Sequence, residues 1–162
     1  MSFLGKVKKK LRNGSWYPFY NTFYEKNNLD PHMILLESRS GKALESNILS
    51  LLKELCQEPY RSFTLVLSVH RDSENEIKEK LQKNSIQGVH FVRTGSVAYY
   101  HALSRAGYLV NDTSFPGRFI KKEGQIYLNT WHGTPLKKMG RDNRPEMVTM
   151  GNVQRNLLDS DY

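Results

Sequence analysis

The residues best suited to chemistry in this 162-residue sequence lie close together near its C-terminal end. Residues 129–140 have the sequence NTWHGTPLKKMG. Histidine titrates near neutral pH, so His132 can accept a proton from a reacting hydroxyl or donate a hydrogen bond to a phosphoryl oxygen. Gly133 lets the backbone approach a ligand closely. A structural interpretation stays open, in which His132 hydrogen-bonds within a tight turn and Trp131 fills the core.

The residues after Gly133 predict a short helix whose N-terminus binds an anion. Thr134 suits the N-cap position, and Pro135 suits the first helical position. Lys137 and Lys138 fall in the first turn, where positive charge opposes the helix dipole unless an anion is bound there. Residues that weaken the local structure in which they lie, as these lysines do, are expected at functional sites.

The net charge of +8 comes from two segments of the chain. Residues 1–28 contain six basic residues against one acidic residue, and residues 118–144 contain seven against two. In the second segment, Arg118, Lys121 and Lys122 are candidates for holding a phosphate polymer. The alternative for the two lysines is a solvated basic face.

The N-terminal segment 1–28 combines a short basic amphipathic helix with several aromatic residues. This composition is typical of a segment that lies in a membrane interface, where lysine attracts anionic lipid. A second interpretation is that the aromatic side chains pack on the domain behind them. A third, a nucleic-acid-binding arm, finds no further support in the sequence, and we expect no nucleic-acid partner.

The composition excludes several classes of protein. A single cysteine, Cys56, rules out an internal disulfide framework and a cysteine-rich zinc module. No apolar run reaches the roughly 18–20 residues of a membrane span, and no secretion signal follows the basic N-terminus. No metal-ligand spacing, Walker loop or dinucleotide-binding glycine motif is present, so we expect no metal, ATP or NAD.

Short apolar segments alternate with amphipathic helical segments along the body of the chain. The strand-like segments are 33–36, 63–69, 89–92, 108–110 and 125–129. The helices between them are expected at 44–55, after a capping box Ser73-x-x-Glu76, and from Ser96 to Leu103, before Gly107. This alternation predicts one α/β domain over 29–162, a Rossmann-like parallel sheet with helices on both faces.

Ligands of open α/β sheets bind beyond the carboxyl ends of the strands. Polar residues at those predicted ends are therefore candidate site residues. They include Ser38 after Glu37, Ser96 after Gly95, and Asn111 with Asp112, in addition to the stretch that begins at Asn129.

The decapeptide from Trp131 to Gly140, followed by Asp142, resembles the WHGTPLKxxGxD signature of the CDP-glycerol glycerophosphotransferase family. These proteins are the teichoic acid polymerases and primases of Gram-positive cell walls. The resemblance extends from about residue 33 to the C-terminus. Further matches are Glu37-Ser38 with Gly41, Gly95-Ser96 with Tyr99-Tyr100, residues 108–112 with Phe115-Pro116, and Asn156 with residues 159–162.

The resemblance implies the N-terminal half of a two-domain GT-B fold transferase at the cytoplasmic face of the cell membrane. The donor would be CDP-glycerol or CDP-ribitol, without another cofactor, and the acceptor a polyol-phosphate polymer or a lipid-linked primer. His132 matches the first of the family's two important histidines and is the candidate base or phosphate ligand. The residues assigned to substrate or phosphate binding are Gly133, Thr134, Lys137, Lys138, Arg118, Asn111, Asp112, Ser38 and Ser96.

The resemblance also implies that the donor-binding C-terminal domain is absent, so we expect the isolated chain to be inactive. Two other functions stay open. The chain could be half of a GT-B glycosyltransferase that acts on a wall polymer, or a non-catalytic, membrane-associated module that binds an anionic polymer.

Overall fold

The computed structural model describes residues 17–117, 119–131 and 158–162. Within these residues, parallel strands form one sheet in the order β3-β2-β1-β4-β5. The strands are β1 (Asp30–Glu37), β2 (Thr64–Val69), β3 (Val89–Arg93), β4 (Ala106–Asn111) and β5 (Ile126–Asn129). With the first strand in the centre, this is the order of a Rossmann-like sheet, and the predicted fold class is confirmed.

Helices cover both faces of the sheet. They are α1 (Tyr17–Lys26), α2 (Ser46–Leu55), α3 (Glu74–Lys83) and α4 (Val97–Arg105). The apolar side chains of α2 and α3 pack on one face, against alternate residues of the central strands such as Leu36 and Leu67. The other face of the same strands, including Leu35, packs against α4 and α1. The strands are apolar on both sides because both faces are covered.

Helix α1 belongs to the core of this domain. Tyr20 is buried beneath Tyr100 and Phe119, and its hydroxyl donates a hydrogen bond to the backbone oxygen of Ile120 at 2.9 Å. Phe23 meets the ring of His101 edge-on. The interpretation in which aromatic residues of the N-terminal segment pack on the domain therefore holds for these positions.

Several predicted boundaries differ from the structure. Strand β1 begins at Asp30 rather than residue 33, and Ser73 occupies the N-cap of α3 without a side-chain capping bond, so the predicted capping box does not form. Gly107 does not end a helix but lies in β4, where an added Cβ would lie 2.8 Å from the backbone oxygen of Asp30. A glycine is required there because β1 and β4 approach closely.

Candidate active site

The strand order reverses between β1 and β4, and this position is where open α/β sheets form a ligand crevice. Strand register places Glu37 beside Asn111 at the carboxyl ends of these two strands. Ser38 and Asp112 follow directly in the sequence. Four polar residues from distant parts of the chain thus meet at the predicted edge of the sheet.

Ser38 and Asp112 are bonded to each other. The Ser38 hydroxyl donates to one carboxylate oxygen of Asp112 at 2.7 Å, and the backbone N–H of Arg39 donates to the other at 2.8 Å. Both side chains are buried. The carboxylate of Asp112 therefore orders the turn that follows β1. This structural role is compatible with a position beside the substrate.

The turn after β1 has an unusual backbone. Arg39, Ser40 and Gly41 all have positive φ angles, of 49°, 55° and 77°. An added Cβ at Gly41 would collide with the Thr94 hydroxyl and approach the backbone nitrogen of His70. The turn thus packs closely against the ends of β2 and β3. Strained backbone of this kind is concentrated at functional sites.

A row of buried polar side chains crosses the sheet at its carboxyl edge. In register, Ser68 lies beside Glu37, Glu37 beside Asn111, and Asn111 beside Asn129. Residues in register point to the same face. That face is the one covered by α4, because Leu35, two residues before Glu37, belongs to the core on that side.

Two tyrosines extend this polar row on the α4 side. Tyr127 donates a hydrogen bond to Oδ1 of Asn111 at 2.9 Å and accepts one from Nδ2 of Asn129 at 3.3 Å. Burial raises the pKa of the Tyr127 hydroxyl well above its usual range. Tyr99, on α4, is fully buried and faces Glu37, whose charge further raises the pKa of the tyrosine.

Glu37 is the buried acid of this row, with 1% of its surface exposed. Burial raises the pKa of its carboxyl to about 7, against the opposing effects of Ser68 and Tyr99, while the nearby charge of Asp112 raises it further. Its Oε2 atom has no hydrogen-bond partner among the described residues, and neither has Nδ2 of Asn111. With this pKa the carboxyl is about half protonated at neutral pH, and its protonated form can donate a hydrogen bond inside the sheet edge.

The sequence pattern indicated Glu37 as a strand-end residue but indicated neither its burial nor its raised pKa. Ser68, Tyr99 and Tyr127 were not predicted as members of the site. Ser68 interrupts a strongly apolar strand, which was the available signal, and its hydroxyl lies 2.8 Å from that of Thr94. The tyrosines carried no such signal, because a tyrosine in an apolar segment is normally a core residue.

Ser96, a predicted binding residue, caps α4. Its hydroxyl accepts a hydrogen bond from the backbone N–H of Tyr99 at 3.2 Å. Its place at the carboxyl edge agrees with the prediction, but this hydroxyl already has a structural partner. A role in substrate binding stays a prediction.

The WHGTP motif begins at the carboxyl end of β5. The backbone N–H of Thr130 donates to the oxygen of Asn111 at 2.9 Å, and that of Trp131 donates to Oδ1 of Asn129 at 3.0 Å. The chain therefore enters the motif beside the end of β4. Other predicted site residues lie outside the described part of the chain: His132, Gly133, Thr134, Lys137, Lys138 and Arg118.

The two lysines of the basic segment that the structure describes have partners within the domain. Lys121 forms a salt bridge with Asp161. Lys122 donates to the backbone oxygen of Asn27 at 2.5 Å and lies over the ring of Tyr24. Both contacts tie separate segments together, so neither lysine is simply a solvated charge.

Residues 158–162 return to the exposed edge of β5. The N–H of Asp161 donates to the oxygen of Tyr127 at 2.8 Å, and the N–H of Asn129 donates to the oxygen of Tyr162 at 3.0 Å. A carboxylate oxygen of Asp161 also accepts from the N–H of Tyr127 at 2.8 Å. These bonds fix β5 on the side that faces away from β4. They thereby also fix the start of the WHGTP motif.

Neither a cluster of metal-binding side chains nor a candidate membrane span is present within the described ranges. No group of three or more His, Cys, Asp or Glu side chains there has the arrangement of a metal site. No helix in that part of the chain is long and apolar enough to cross a membrane.

Comparison with known proteins identifies the family. Residues 19–162 match the family described as CDP-Glycerol:Poly(glycerophosphate) glycerophosphotransferase. The chain belongs to this family. The matched region contains the whole described sheet and the WHGTP motif.

Relatives with curated names agree with this family. The chain is 31% identical over 123 residues to a teichoic acid poly(glycerol phosphate) polymerase of Staphylococcus epidermidis, a match that covers 76% of this chain and 16% of the relative. It is 28% identical over 137 residues to a teichoic acid glycerol-phosphate transferase of Staphylococcus aureus, covering 84% and 33%. The chain thus spans between about a sixth and a third of these relatives.

A solved structure of the wall teichoic acid polymerase TagF, from a variant soaked with CDPG, has the same fold as this chain. The two superpose with a TM-score of 0.70 and 26% sequence identity, over all of this chain and 42% of the other. This domain therefore corresponds to one part of a larger transferase architecture.

Proposed function

We propose that this chain is the N-terminal, acceptor-side domain of a polyol-phosphate transferase that extends a teichoic acid or a related wall polymer. The observation that carries the proposal is the position of the WHGTP motif. It begins where β5 ends, directly beside the crevice formed by β1 and β4. Family membership and the similarity to TagF support the same conclusion.

The proposed donor is CDP-glycerol or CDP-ribitol, and the acceptor is a hydroxyl of the polymer or of a lipid-linked primer. The acceptor oxygen forms a new bond to the β-phosphorus of the donor. The bond from that phosphorus to the oxygen bridging the two phosphates breaks, and CMP leaves with the electron pair.

In this reaction His132 takes the proton of the attacking hydroxyl. Lys137, Lys138 and Arg118 hold phosphate charge, and the backbone N–H groups from Gly133 and Thr134 onward add to this binding. Ser38 and Asp112 keep the turn after β1 in place at the crevice. The chemistry assigned to these side chains requires no metal ion.

The location we propose is the cytoplasmic face of the cell membrane, where a lipid-linked primer would be accessible. The basic residues of segment 1–28 would contact anionic lipid and keep the domain near that surface. The donor-binding half would be supplied by a further domain, as the greater length of the relatives suggests.

The decisive experiment replaces histidine by alanine at the position that matches His132 in a two-domain relative. We expect turnover to fall by about 10²–10⁴-fold, the usual range for general acid–base catalysis, with little change in melting temperature. Turnover of glycerol phosphate and thermal unfolding should be measured on the same preparations.

The matched control replaces lysine by alanine at the position of Lys137. Because this residue is proposed to bind a ground-state phosphate, its loss should mainly raise KM. A histidine variant that unfolds at a much lower temperature, but keeps normal turnover per folded molecule, would show that His132 is structural.

A further inference from the structure

Both backbone polar groups of Trp131, the residue before His132, are bonded to asparagine side chains. The N–H of Trp131 donates to Oδ1 of Asn129 at 3.0 Å. Its carbonyl oxygen accepts from Nδ2 of Asn47, at the start of α2, at 3.4 Å, and also from the Thr130 hydroxyl at 3.0 Å. The two peptide groups on either side of Trp131 are therefore hydrogen-bonded to side chains from different elements, β5 and α2.

Trp131 has an unusual conformation that needs such support. Its φ angle is 50°, in the left-handed region that bulky residues rarely adopt. This conformation is unfavourable for an L-residue, so it persists only where the surroundings determine it. Asn129 supplies one such bond, because its side-chain oxygen accepts from the backbone N–H two residues later as β5 ends.

The side chain of Asn129 is itself fixed in one orientation. It is 7% exposed, and its Nδ2 donates to the backbone oxygen of Thr113 at 2.9 Å and to the Tyr127 hydroxyl at 3.3 Å. The Tyr127 hydroxyl in turn donates to Asn111 at 2.9 Å. With both donor directions of the amide occupied, its oxygen is left facing the N–H of Trp131.

We propose that Asn129 is a positioning residue for His132. It sets the left-handed turn at Trp131, the residue that directly precedes His132. The inference rests on the proposed function in taking His132 as the reacting base. The inference adds that the placement of His132 depends on Asn129.

A purely structural role would give Asn129 a different task. Its bond to Thr113 ties the loop after β4 to β5, and this bond alone could explain why the side chain is buried. Asn129→Leu removes every hydrogen bond of the Asn129 side chain and replaces it with an apolar side chain of similar size. Asn129→Asp keeps the acceptor for Trp131 and removes the donors to Thr113 and Tyr127, so the two roles can be separated.

The test is NMR spectroscopy of the 162-residue chain, with His132→Gln used to assign the His132 ring among the five histidines. The coupling between the amide proton and the α-proton of Trp131 reports its φ angle. We expect Asn129→Leu to change this coupling and to shift the His132 ring resonances. Asn129→Asp should leave both near their original values.

Tyr127→Phe is the matched control, because it perturbs the same buried network without removing the acceptor for Trp131. It should lower the melting temperature but shift the His132 resonances less than Asn129→Leu does. Asn129→Leu spectra that show unchanged Trp131 and His132 signals would overturn the proposal. If Asn129→Leu does not fold, Asn129→Asp decides: unchanged signals support the positioning role, and displaced ones contradict it.

These readouts do not depend on turnover. A relative that stays active without its matching histidine would therefore overturn the proposed function, whereas unchanged NMR signals in Asn129→Leu would overturn only the positioning of His132.

Discussion

At the residue scale, Glu37 shows how burial changes the chemistry of one side chain. An isolated carboxylate is costly to bury, and among the described residues no cation contributes to the pKa of Glu37 in a way that would offset this cost. The fold therefore favours the protonated form. The protonated carboxyl can both donate and accept a hydrogen bond within the polar row.

The stability of the domain should consequently fall as pH rises from about 4.5 to about 7, and should level off above that range. The pKa of Glu37 moves from 4.5 to about 7 on folding, so its favourable contribution is complete below pH 4.5 and is lost above pH 7. This displacement corresponds to about 3 kcal/mol. We expect Glu37→Gln, which cannot ionise, to gain about this much stability relative to the original chain between pH 5 and pH 8.

Chemical denaturation at several pH values measures this difference. Glu76→Gln, at an exposed position on α3, is the matched control for the removal of one carboxyl group. Parallel stability curves for the original chain and Glu37→Gln from pH 5 to pH 8 would mean that Glu37 does not hold a proton in the folded state.

At the element scale, the N-terminal segment 1–28 contains two parts with different environments. Helix α1 packs on α4, and Tyr20 is buried in the core. Residues 1–16 contain the basic amphipathic stretch, and they lie outside the described ranges. A test of membrane binding must therefore leave α1 in place, since removing it would expose the core.

We expect a chain that begins at Tyr17 to bind anionic vesicles more weakly than the full chain. In the proposed membrane contact, the basic residues before Tyr17 attract anionic headgroups, and salt screens such an attraction. Binding by the full chain should thus fall as salt is added. Co-sedimentation with vesicles that contain or lack anionic lipid measures both effects.

A charge-matched pair of variants provides the control for this test. Lys9→Gln with Lys10→Gln should weaken vesicle binding more than Lys80→Gln with Lys83→Gln, which removes the same charge from α3. Equal binding by both pairs, and by the shortened chain, would place any membrane contact elsewhere on the domain.

At the scale of the whole molecule, we propose that this domain supplies one side of a site. The chain spans only part of each relative that it matches, including 42% of the TagF chain that it superposes on. The WHGTP motif begins at the edge of the sheet, so a second domain that binds the donor could lie against it. Neither side would complete the reaction alone.

We therefore expect the isolated chain to have no transferase activity. Incubation with labelled CDP-glycerol and a lipid-linked primer should give no polymer above the background without enzyme. A full-length relative in the same assay is the positive control. Polymer formation by the isolated chain would show that the donor site does not require a second domain.

Local patterns in the sequence determined the order of strands and helices, because burial imposes a residue spacing on each element separately. They also identified the WHGTP motif and the strand-end residues around Ser38 and Asn111. These features depend on neighbours within a few residues. For this reason the fold class and the edge of the sheet that carries the site were predictable.

Only the tertiary structure decided which of these residues meet. Ser38 bonds to Asp112 across 74 positions of sequence, and the row from Ser68 to Asn129 depends on the register of four strands. The raised pKa of Glu37 and the burial of Tyr20 depend on helices that pack over them. Strand register and helix packing are set by contacts between distant segments, which no local spacing records.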